Sequence, residues 1–358
     1  MKKIVLTGGG TAGHVTPNIA LLPALQAAGY EIAYVGSYEG IEKKLIADFN
    51  IPYTGISTGK FRRYLDPKNF SDPFRVMKGF VEARNYLKKY QPDVVFSKGG
   101  FVSVPVVRAA ASLHIPCIIH ESDMTPGLAN KLCIPVAEKV CCNFPETMKN
   151  IPADKAVLTG SPIRAELAQG SKLAGLNMCG FTANKPVIMV IGGSLGAANV
   201  NKAVRDALPK LLEDFQVVHL CGKDKIDNLL LNTPGYKQFE YIKAELKDIF
   251  AMADVVISRA GANAICELLA LKKPNILIPL PAASSRGDQL LNAASFEAQG
   301  YSIVLNEDDI TTNLLVTKVH ELYFNRQNYV DAMSKSHQMD AVKTIMELIN
   351  AAADKKTN

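Results

Sequence analysis

The sequence predicts an α/β protein of two doubly wound, Rossmann-like domains, whose parallel sheets face each other across a cleft. Short apolar runs alternate with amphipathic stretches along the chain, which indicates parallel sheets with helices on both faces. The 358 residues suffice for two domains of ordinary size. In addition, the segment VLTGGGTAGH at 5–14 is echoed by VIGGSLGAANV at 190–200, each reading as a strand, a glycine loop and a helix start.

The apolar runs predict ten strands, five in each half of the chain. In the first half they cover 4–7, 32–36, 94–97, 117–120 and 140–143. In the second half they cover 187–191, 217–220, 255–258, 276–278 and 302–305. Amphipathic stretches such as 20–28 and 76–90 are predicted helices, and the polar, glycine-containing stretch 169–185 separates the halves.

These halves place the predicted domains at 1–163 and 164–340. The remaining residues, 341–358, are predicted to form a C-terminal helix and tail that packs back on the first domain.

Composition and charge narrow the function classes. Hydrophobic residues make up 48% and charged residues 21%, as in soluble globular proteins. The net charge of +6 favours anionic partners, but we expect no nucleic acid among them. The N-terminus has too few apolar residues for a signal peptide, and no apolar run reaches the length of a membrane span. The seven cysteines form no C-x-x-C pair, so we expect neither a zinc site nor a disulfide framework. This cysteine usage predicts that the protein resides in the reducing cytoplasm.

Four glycine loops at strand ends are candidate anion sites. Besides the two already quoted, they are SKGGFVSVP at 97–105 and SRAGANAICE at 258–267. At the start of a helix, backbone N–H groups lack intrahelical partners and the helix dipole adds partial positive charge. Glycine lets the backbone approach a phosphate closely. A single loop of this kind can be merely a tight strand–helix turn, but four of them favour a phosphate-bearing ligand.

The first loop also fits a dinucleotide fingerprint, G-x-G-x-x-G, through Gly8, Gly10 and Gly13. That site needs an acidic residue at the end of the second strand. Here the first acid is Glu39, already in the following loop, and a dinucleotide loop has no evident use for His14. We therefore disfavour an NAD-linked oxidoreductase and expect no cofactor.

Seven motifs carry a resemblance to a known family: GGGTAGHVTP, KGGFVSVP, HESDMTPGLANK, TGSPIR, IGGSLGA, SRAGANAICE and GDQLLNA. Their order resembles that of the MurG family, bacterial N-acetylglucosaminyltransferases of peptidoglycan synthesis, from Lys2 to about Leu348. The resemblance implies the two-domain GT-B fold. It also implies transfer of N-acetylglucosamine from UDP-N-acetylglucosamine to the C4 hydroxyl of the N-acetylmuramoyl sugar of lipid I, an undecaprenyl-pyrophosphoryl-MurNAc-peptide. The products would be lipid II and UDP, with inversion at the anomeric carbon.

The resemblance places the UDP-sugar donor in the C-terminal domain. It puts Ser194 and Arg164 near the diphosphate, and Glu267 on the ribose hydroxyls, where a carboxylate can accept two hydrogen bonds. The backbone of Ile242 would read the uracil edge, and Gln289 would bind the sugar hydroxyls. The other expected donor-side residues are Ala262, Asn263, Ala264, Ile265, Cys266 and Asp288.

The resemblance makes the N-terminal domain the acceptor side, where a base must take the proton of the acceptor hydroxyl. His14 is the first candidate because unperturbed imidazole titrates near neutral pH. Glu121 is the rival, and His120 is expected to be structural. The other expected residues of this side are Gly99, Gly100, Phe101, Asp123 and Asn130. Thr11, Ala12 and Gly13 are expected to bind substrate at the cleft, together with the donor residues.

We expect no metal site, because the Asp-x-Asp motif of metal-dependent sugar transferases is missing from the sequence. Arg164 and the helix N-terminus would meet the charge of the leaving UDP instead. The chain departs from the family at two places. Many members have Glu-Gln-Asn at 121–123, where this chain has Glu-Ser-Asp, and others have paired glutamines at 288–289. These departures bear on Asp123 and on the sugar contacts, not on the reaction type.

A lipid-linked acceptor requires access to a membrane. Residues 60–89 hold nine basic residues against three acids, interleaved with Phe61 and Phe80. Phe70, Phe74, Met77 and Val81 recur at three- and four-residue steps. This pattern fits an interfacial helix on anionic lipid, and equally a helix whose stripe belongs to the core. The first alternative predicts a peripheral protein on the cytoplasmic face of the cell membrane, with cell-wall synthesis proteins as further candidate partners.

Other functions remain open on the same fold. Related GT-B enzymes glucosylate diacylglycerol, and others epimerise UDP-N-acetylglucosamine. A catalytically silent UDP-sugar-binding protein is a non-enzyme alternative, against which the complete set of donor residues argues.

Overall fold

The computed structural model describes residues 1–59, 68–193, 196–282, 287–336 and 340–357. The chain divides into two compact units. Unit 1 comprises Met1–Arg164 and Asp340–Asn358, and unit 2 comprises Ala165–Met339. Among the described residues, no helix combines the length and the apolar character needed to cross a bilayer.

Unit 1 is built on a parallel sheet of seven strands in the order β3-β2-β1-β4-β5-β6-β7. The strands are β1 (Lys3–Thr7), β2 (Glu31–Ser37), β3 (Tyr53–Ile56), β4 (Val94–Ser97), β5 (Cys117–Glu121), β6 (Lys139–Cys142) and β7 (Ala156–Leu158). The helices between them are α1 (Thr16–Ala27), α2 (Ile41–Ile46), α3 (Lys68–Tyr90), α4 (Ser103–Ser112), α5 (Leu128–Cys133) and α6 (Pro145–Met148). Thr7, the last residue of β1, pairs with Val35 of β2 and Ser97 of β4.

The central strands of unit 1 are buried on both faces. Val5 of β1 belongs to one core cluster, whereas its neighbours Ile4 and Leu6 belong to the cluster on the opposite face. Successive side chains of a strand point to opposite faces, so a two-sided core requires apolar residues at every position.

Unit 2 repeats this plan with six parallel strands in the order β10-β9-β8-β11-β12-β13. The strands are β8 (Val187–Ile191), β9 (Gln216–Leu220), β10 (Tyr236–Phe239), β11 (Val255–Ser258), β12 (Asn275–Leu277) and β13 (Ser302–Val304). The helices are α7 (Lys172–Cys179), α8 (Ala198–Asp214), α9 (Leu246–Met252), α10 (Ala262–Ala270), α11 (Asp288–Ala298), α12 (Thr312–Phe324) and α13 (Arg326–Ser334).

The last helix, α14 (Ala341–Thr357), belongs to unit 1. Its side chains Ile345, Ile349 and Ala353 are buried in the same cluster as Ile4 and Leu6. In addition, the Tyr30 hydroxyl donates to the Asn350 side-chain oxygen at 2.7 Å. Helix α14 therefore completes the core of unit 1.

The fold class is confirmed, and all ten predicted strands are present to within one residue at each end. The three strands that were not predicted, β3, β7 and β10, each lie at the edge of a sheet. Edge strands are short and covered on fewer sides, so they lack the continuous apolar run that marks a central strand.

The stretch 169–185 was predicted as a polar connection, and this is wrong, because it contains α7. The Ser171 hydroxyl accepts from the Ala174 N–H at the helix start, and Gly180 ends the helix with a left-handed φ of 69°. Leu176 and Cys179 are buried on one face, three residues apart. This apolar face is too short to stand out among polar neighbours.

Candidate active site

Both sheets reverse their strand order at one point, between β1 and β4 in unit 1 and between β8 and β11 in unit 2. In open parallel sheets, ligands bind at the carboxyl ends of the strands that flank this point. The four predicted glycine loops directly follow these four strands. The structure therefore brings the loops together in pairs, one pair in each unit.

In unit 1 the paired loops touch backbone to backbone. Gly10 has a φ of 86°, and a Cβ there would collide with the ring of Phe101. Gly100 also has a φ of 86°, and a Cβ there would collide with the carbonyl oxygen of Gly9. Both positions require glycine, because the left-handed conformation and the close approach exclude a side chain.

Glu42, which the sequence did not single out, holds the first glycine loop in place. Its side chain is buried at the start of α2, and its carboxylate accepts from the N–H groups of Gly10 (3.1 Å) and Ser37 (2.9 Å) and from the Ser37 hydroxyl. A Cβ on Gly9 would lie 2.5 Å from this carboxyl group. Glu42 therefore satisfies loop amides from within unit 1.

His14 closes the 3-10 turn Ala12–His14, just before α1. Its half-buried ring lies beside Gly100, with Cδ2 3.1 Å from where a Cβ would be. Burial lowers the pKa of His14 to about 4, helped by the positive charge of Lys98 and opposed by a backbone hydrogen bond with Lys98 and by the charge of Glu42. His14 is therefore neutral at neutral pH, the form that can accept a proton, but its pKa lies below the near-neutral value expected from the sequence, because the ring is buried.

Glu121, the rival base, is already engaged. This residue ends β5 with 4% of its surface exposed. Its carboxylate accepts from the N–H groups of Asp123 (2.9 Å) and Gly127 (3.0 Å) and from the side-chain amide of Asn130 (2.8 Å). Both oxygens thus organise the loop 122–127, and the geometry favours an architectural role.

The neighbouring His120 is fully buried, and its Nε2 donates to the carbonyl of Gly160 at 2.9 Å. Burial, with the charge of Lys98, lowers its pKa well below the usual value. Asn130 joins the two loops, since its amide also donates to the His120 carbonyl (3.0 Å) and lies beside Gly99. The structure thus gathers the expected acceptor-side residues at the carboxyl ends of β1, β4 and β5, with the structural His120 beside them: His14, Gly99, Gly100, Phe101, Glu121, Asp123 and Asn130. Thr11 is exposed, and Ala12 and Gly13 are half-buried, in the turn that leads to His14.

In unit 2, the N-terminus of α10 lies at the carboxyl end of β11. The preceding residue, Gly261, is extended and gives no side-chain cap. The first intrahelical bond runs from the Ile265 N–H to the Gly261 carbonyl (3.1 Å), so the amides of 262–264 point out of the helix end. Ile265 and Cys266 are buried in the core, so only their backbone could face a ligand. Glu267, in contrast, is half-buried.

The start of α11 is hydrogen-bonded to the loops at the carboxyl ends of β11 and β12. Asp288 is its first residue, and the side-chain oxygen of Gln289 accepts from the Leu280 N–H at 3.1 Å. One turn later, the side-chain amide of Asn292 donates to the Ala260 carbonyl at 3.2 Å. This bond fixes α11 against the loop that leads into α10.

Arg259, another residue that the sequence did not single out, anchors the loop between β11 and α10. It is 8% exposed and donates to the carbonyls of Ile278 (3.0 Å) and Pro279 (3.2 Å). It also forms a buried ion pair with Glu307, which accepts from the Asn199 side chain at 2.6 Å. Arg259 thus connects the ends of β11 and β12 to the turn after β13.

The remaining expected donor residues lie apart from α10 and α11 in the chain. Arg164 is half-buried and is the last residue of the first segment of unit 1. Ile242 is buried and lies in the segment of chain that connects β10 to α9. Ser194 lies outside the described residues, but the Lys225 ammonium, which the sequence did not single out, donates to the carbonyl of Gly196 in the same loop at 3.3 Å.

Comparison with known proteins identifies the family. The glycosyltransferase family 28 N-terminal domain matches residues 4–142, and the family's C-terminal domain matches residues 187–349. A protein of Lachnospira eligens is 65% identical over 98% of this chain and 99% of its own length. A protein of Lachnoclostridium phytofermentans is 64% identical over 98% of both chains. Both are named UDP-N-acetylglucosamine--N-acetylmuramyl-(pentapeptide) pyrophosphoryl-undecaprenol N-acetylglucosamine transferase.

The crystal structure of MurG from Acinetobacter baumannii superposes with a TM-score of 0.77 at 29% identity, covering 98% of this chain and all of that one. The two domain matches, the full-length relatives and this crystal structure confirm the family resemblance found in the sequence. The chain belongs to glycosyltransferase family 28.

Proposed function

We propose that the chain transfers N-acetylglucosamine from UDP-N-acetylglucosamine to the C4 hydroxyl of the N-acetylmuramoyl sugar of lipid I, releasing lipid II and UDP. The observation that carries this proposal is the 65% identity to a transferase of that name along nearly the whole of both chains. Such a protein is an N-acetylglucosaminyltransferase of peptidoglycan synthesis.

Unit 2 supplies the donor-binding groups apart from Arg164, which ends the first segment of unit 1. The outward amides of 262–264, together with the helix dipole of α10, suit the diphosphate. Arg164 and Ser194 add donors to it, Glu267 accepts from the ribose diol, and the backbone of Ile242 reads the uracil. The Gln289 side-chain oxygen is already bonded to Leu280, so its amide NH₂ is the group we assign to a sugar hydroxyl, with Asp288 beside it.

Unit 1 binds the acceptor in this account and supplies the base. The C4 oxygen of the acceptor attacks C1 of N-acetylglucosamine, and the bond from C1 to the UDP oxygen breaks on the opposite face. The acceptor proton passes to the His14 imidazole, which is neutral because its pKa lies at about 4. Glu121 is a poorer choice, because three donors already engage its carboxylate.

Glu267→Ala tests the donor assignment. A hydrogen bond to a charged group contributes roughly 1.5–3 kcal/mol, so the affinity for UDP should fall at least about tenfold. Isothermal calorimetry with the folded variant measures this loss. Glu213→Ala, which removes an exposed carboxylate from α8, is the matched control and should bind UDP normally. Unchanged affinity in Glu267→Ala would remove Glu267 from the site.

We infer that α3 docks on an anionic membrane surface. Phe74, Met77 and Val81 expose 78%, 64% and 52% of their surface along one face of the helix. This exposure favours the interfacial alternative over a stripe buried in the core. Exposed basic side chains surround the stripe: Arg75, Lys78, Arg84, Lys88 and Lys89. Residues 60–67, including Lys60 and Phe61, and the side chain of Phe70 lie outside the described part of the chain.

The double variant Phe74→Ser, Met77→Ser tests this docking. Burying one large apolar side chain contributes roughly 1.5–3 kcal/mol, so binding to phosphatidylglycerol vesicles should weaken at least about tenfold. Co-sedimentation measures the bound fraction. Leu229→Ser, which changes a side chain of unit 2 that is 94% exposed, should bind as the unmodified protein does. Equal binding by all three proteins would contradict the membrane assignment.

The activity itself is tested with labelled UDP-N-acetylglucosamine, a lipid I analogue and diacylglycerol in parallel reactions. We expect labelled product with the lipid I analogue only. Transfer to diacylglycerol alone would support the lipid glucosyltransferase alternative. UDP binding without any transfer would indicate a silent UDP-sugar-binding protein.

A further inference from the structure

Lys98 is buried where a lysine is uncommon. It is the first residue after β4, in the second glycine loop of unit 1, and is 1% exposed. Its backbone N–H donates to the Thr7 carbonyl at 2.9 Å. Its Cβ lies 3.3 Å from the position that a Cβ on Gly8 would take, so Lys98 packs against the first glycine loop. Burying an ammonium group is costly, and lysines are almost never fully buried without partners.

The ammonium group of Lys98 reaches across to the next loop. Its Nζ donates to the hydroxyl of Ser122, the residue after Glu121. The loop that Glu121 organises is thereby tied to the end of β4. Lys98 thus lies at the centre of the acceptor-side residues, not at their periphery.

Three ionisable groups on three elements act on His14 or feel its charge. Lys98, after β4, disfavours a positive charge on the imidazole, and Glu42, at the start of α2, favours one. His120, on β5, is itself affected by the charges of Lys98 and His14. A protonated His14 would therefore place a second cation beside a buried one.

We propose that Lys98 is a positioning residue for the transfer reaction, whose buried ammonium places a positive charge beside His14 and ties the Ser122 loop to the end of β4. This inference rests on the proposed role of His14 as the base. A neutral imidazole is the form that accepts the hydroxyl proton. The same repulsion favours loss of that proton to solvent after transfer, which restores His14 for the next turnover.

The charge effect has a definite sign. The pKa of His14 lies at about 4, so the neutral fraction stays near one as the pH falls from 7 to about 5. Burial is the largest cause of this low pKa and persists in a Lys98 variant, so removing the neighbouring cation raises the pKa while leaving it below the ordinary value near 6.5. In Lys98→Met, His14 should therefore protonate at a higher pH, and the acid limb of kcat/KM should move upward with it.

The direct test is an NMR titration of His14 in the free protein with labelled histidine, assigned through His14→Gln. We expect no titration of His14 above about pH 5 in the unmodified protein. In Lys98→Met the midpoint should rise by about one pH unit or more. Lys98→Arg, which keeps the charge, should stay low, and so should Lys149→Met, which removes an exposed lysine of unit 1.

An unmoved midpoint in Lys98→Met would overturn the inference, and so would a midpoint near 6.5 in the unmodified protein, which needs no variant to fold. These readouts require neither substrate nor activity, so they are independent of the proposed function. The acid limb of kcat/KM then tests the link to catalysis. A midpoint that moves while the acid limb does not would overturn the role of His14 as base, and with it the catalytic role of Lys98.

Discussion

Replacing His14 with alanine is expected to lower kcat by about 10²–10⁴ while leaving the affinity for UDP nearly unchanged. The reason is the distribution of groups between the units. His14 lies in the glycine-loop edge of unit 1, whereas the helix that we assign to the diphosphate belongs to unit 2. Steady-state kinetics and calorimetry with UDP, measured on the same preparation, separate the two quantities.

His14→Gln distinguishes a base from a positioning group. Glutamine keeps hydrogen-bonding capacity but takes no proton, so the variant should be almost as slow as His14→Ala. His114→Gln, elsewhere in unit 1, is the control and should be fully active. Near-normal kcat in His14→Gln would show that the residue only positions the acceptor, and Glu121 would become the base to test.

Glu307→Ala is expected to destabilise unit 2 by about 3–5 kcal/mol, because it leaves the buried guanidinium of Arg259 without its carboxylate. The urea midpoint of the corresponding unfolding transition should fall. Affinity for UDP should fall too, since Arg259 anchors the loop that leads into α10.

Two controls qualify this expectation. Glu321→Ala breaks the more exposed pair of Glu321 with Lys318 and should cost no more than about 1 kcal/mol. The double variant Arg259→Met, Glu307→Leu removes both charges and should recover much of the lost stability. A cost for Glu307→Ala as small as that for Glu321→Ala would show that the buried pair contributes little.

The sequence was sufficient for the parts of the fold that depend on local patterns. Central strands such as β1 and β8 are covered on both faces and must be apolar there, so their residue types alone identify them as strands. Edge strands such as β10, with the sequence YKQF, alternate between exposed and buried residues and are too short to be recognised. The glycine loops were found for the same reason, because their backbone requirements show in the residue type.

The charged residues that support the loops could not be found in this way. Glu42 bonds to Gly10 across 32 positions of the chain, and Arg259 meets Glu307 only once β11 and β13 share a sheet. A buried glutamate or lysine has the same letter as an exposed one, so its burial is known only from the fold. The stripe on α3 shows the converse, since its periodicity did not decide between core and surface.

The proposed reaction is a single displacement on lipid I, in which the acceptor hydroxyl attacks directly and His14 takes its proton. The most direct measurement is the NMR coupling between H1 and H2 of the transferred sugar in the product formed from α-linked UDP-N-acetylglucosamine. We expect a lipid-linked disaccharide with the large coupling of a β linkage to the C4 oxygen of the N-acetylmuramoyl sugar. A small coupling, showing an α linkage with retained configuration, would contradict it.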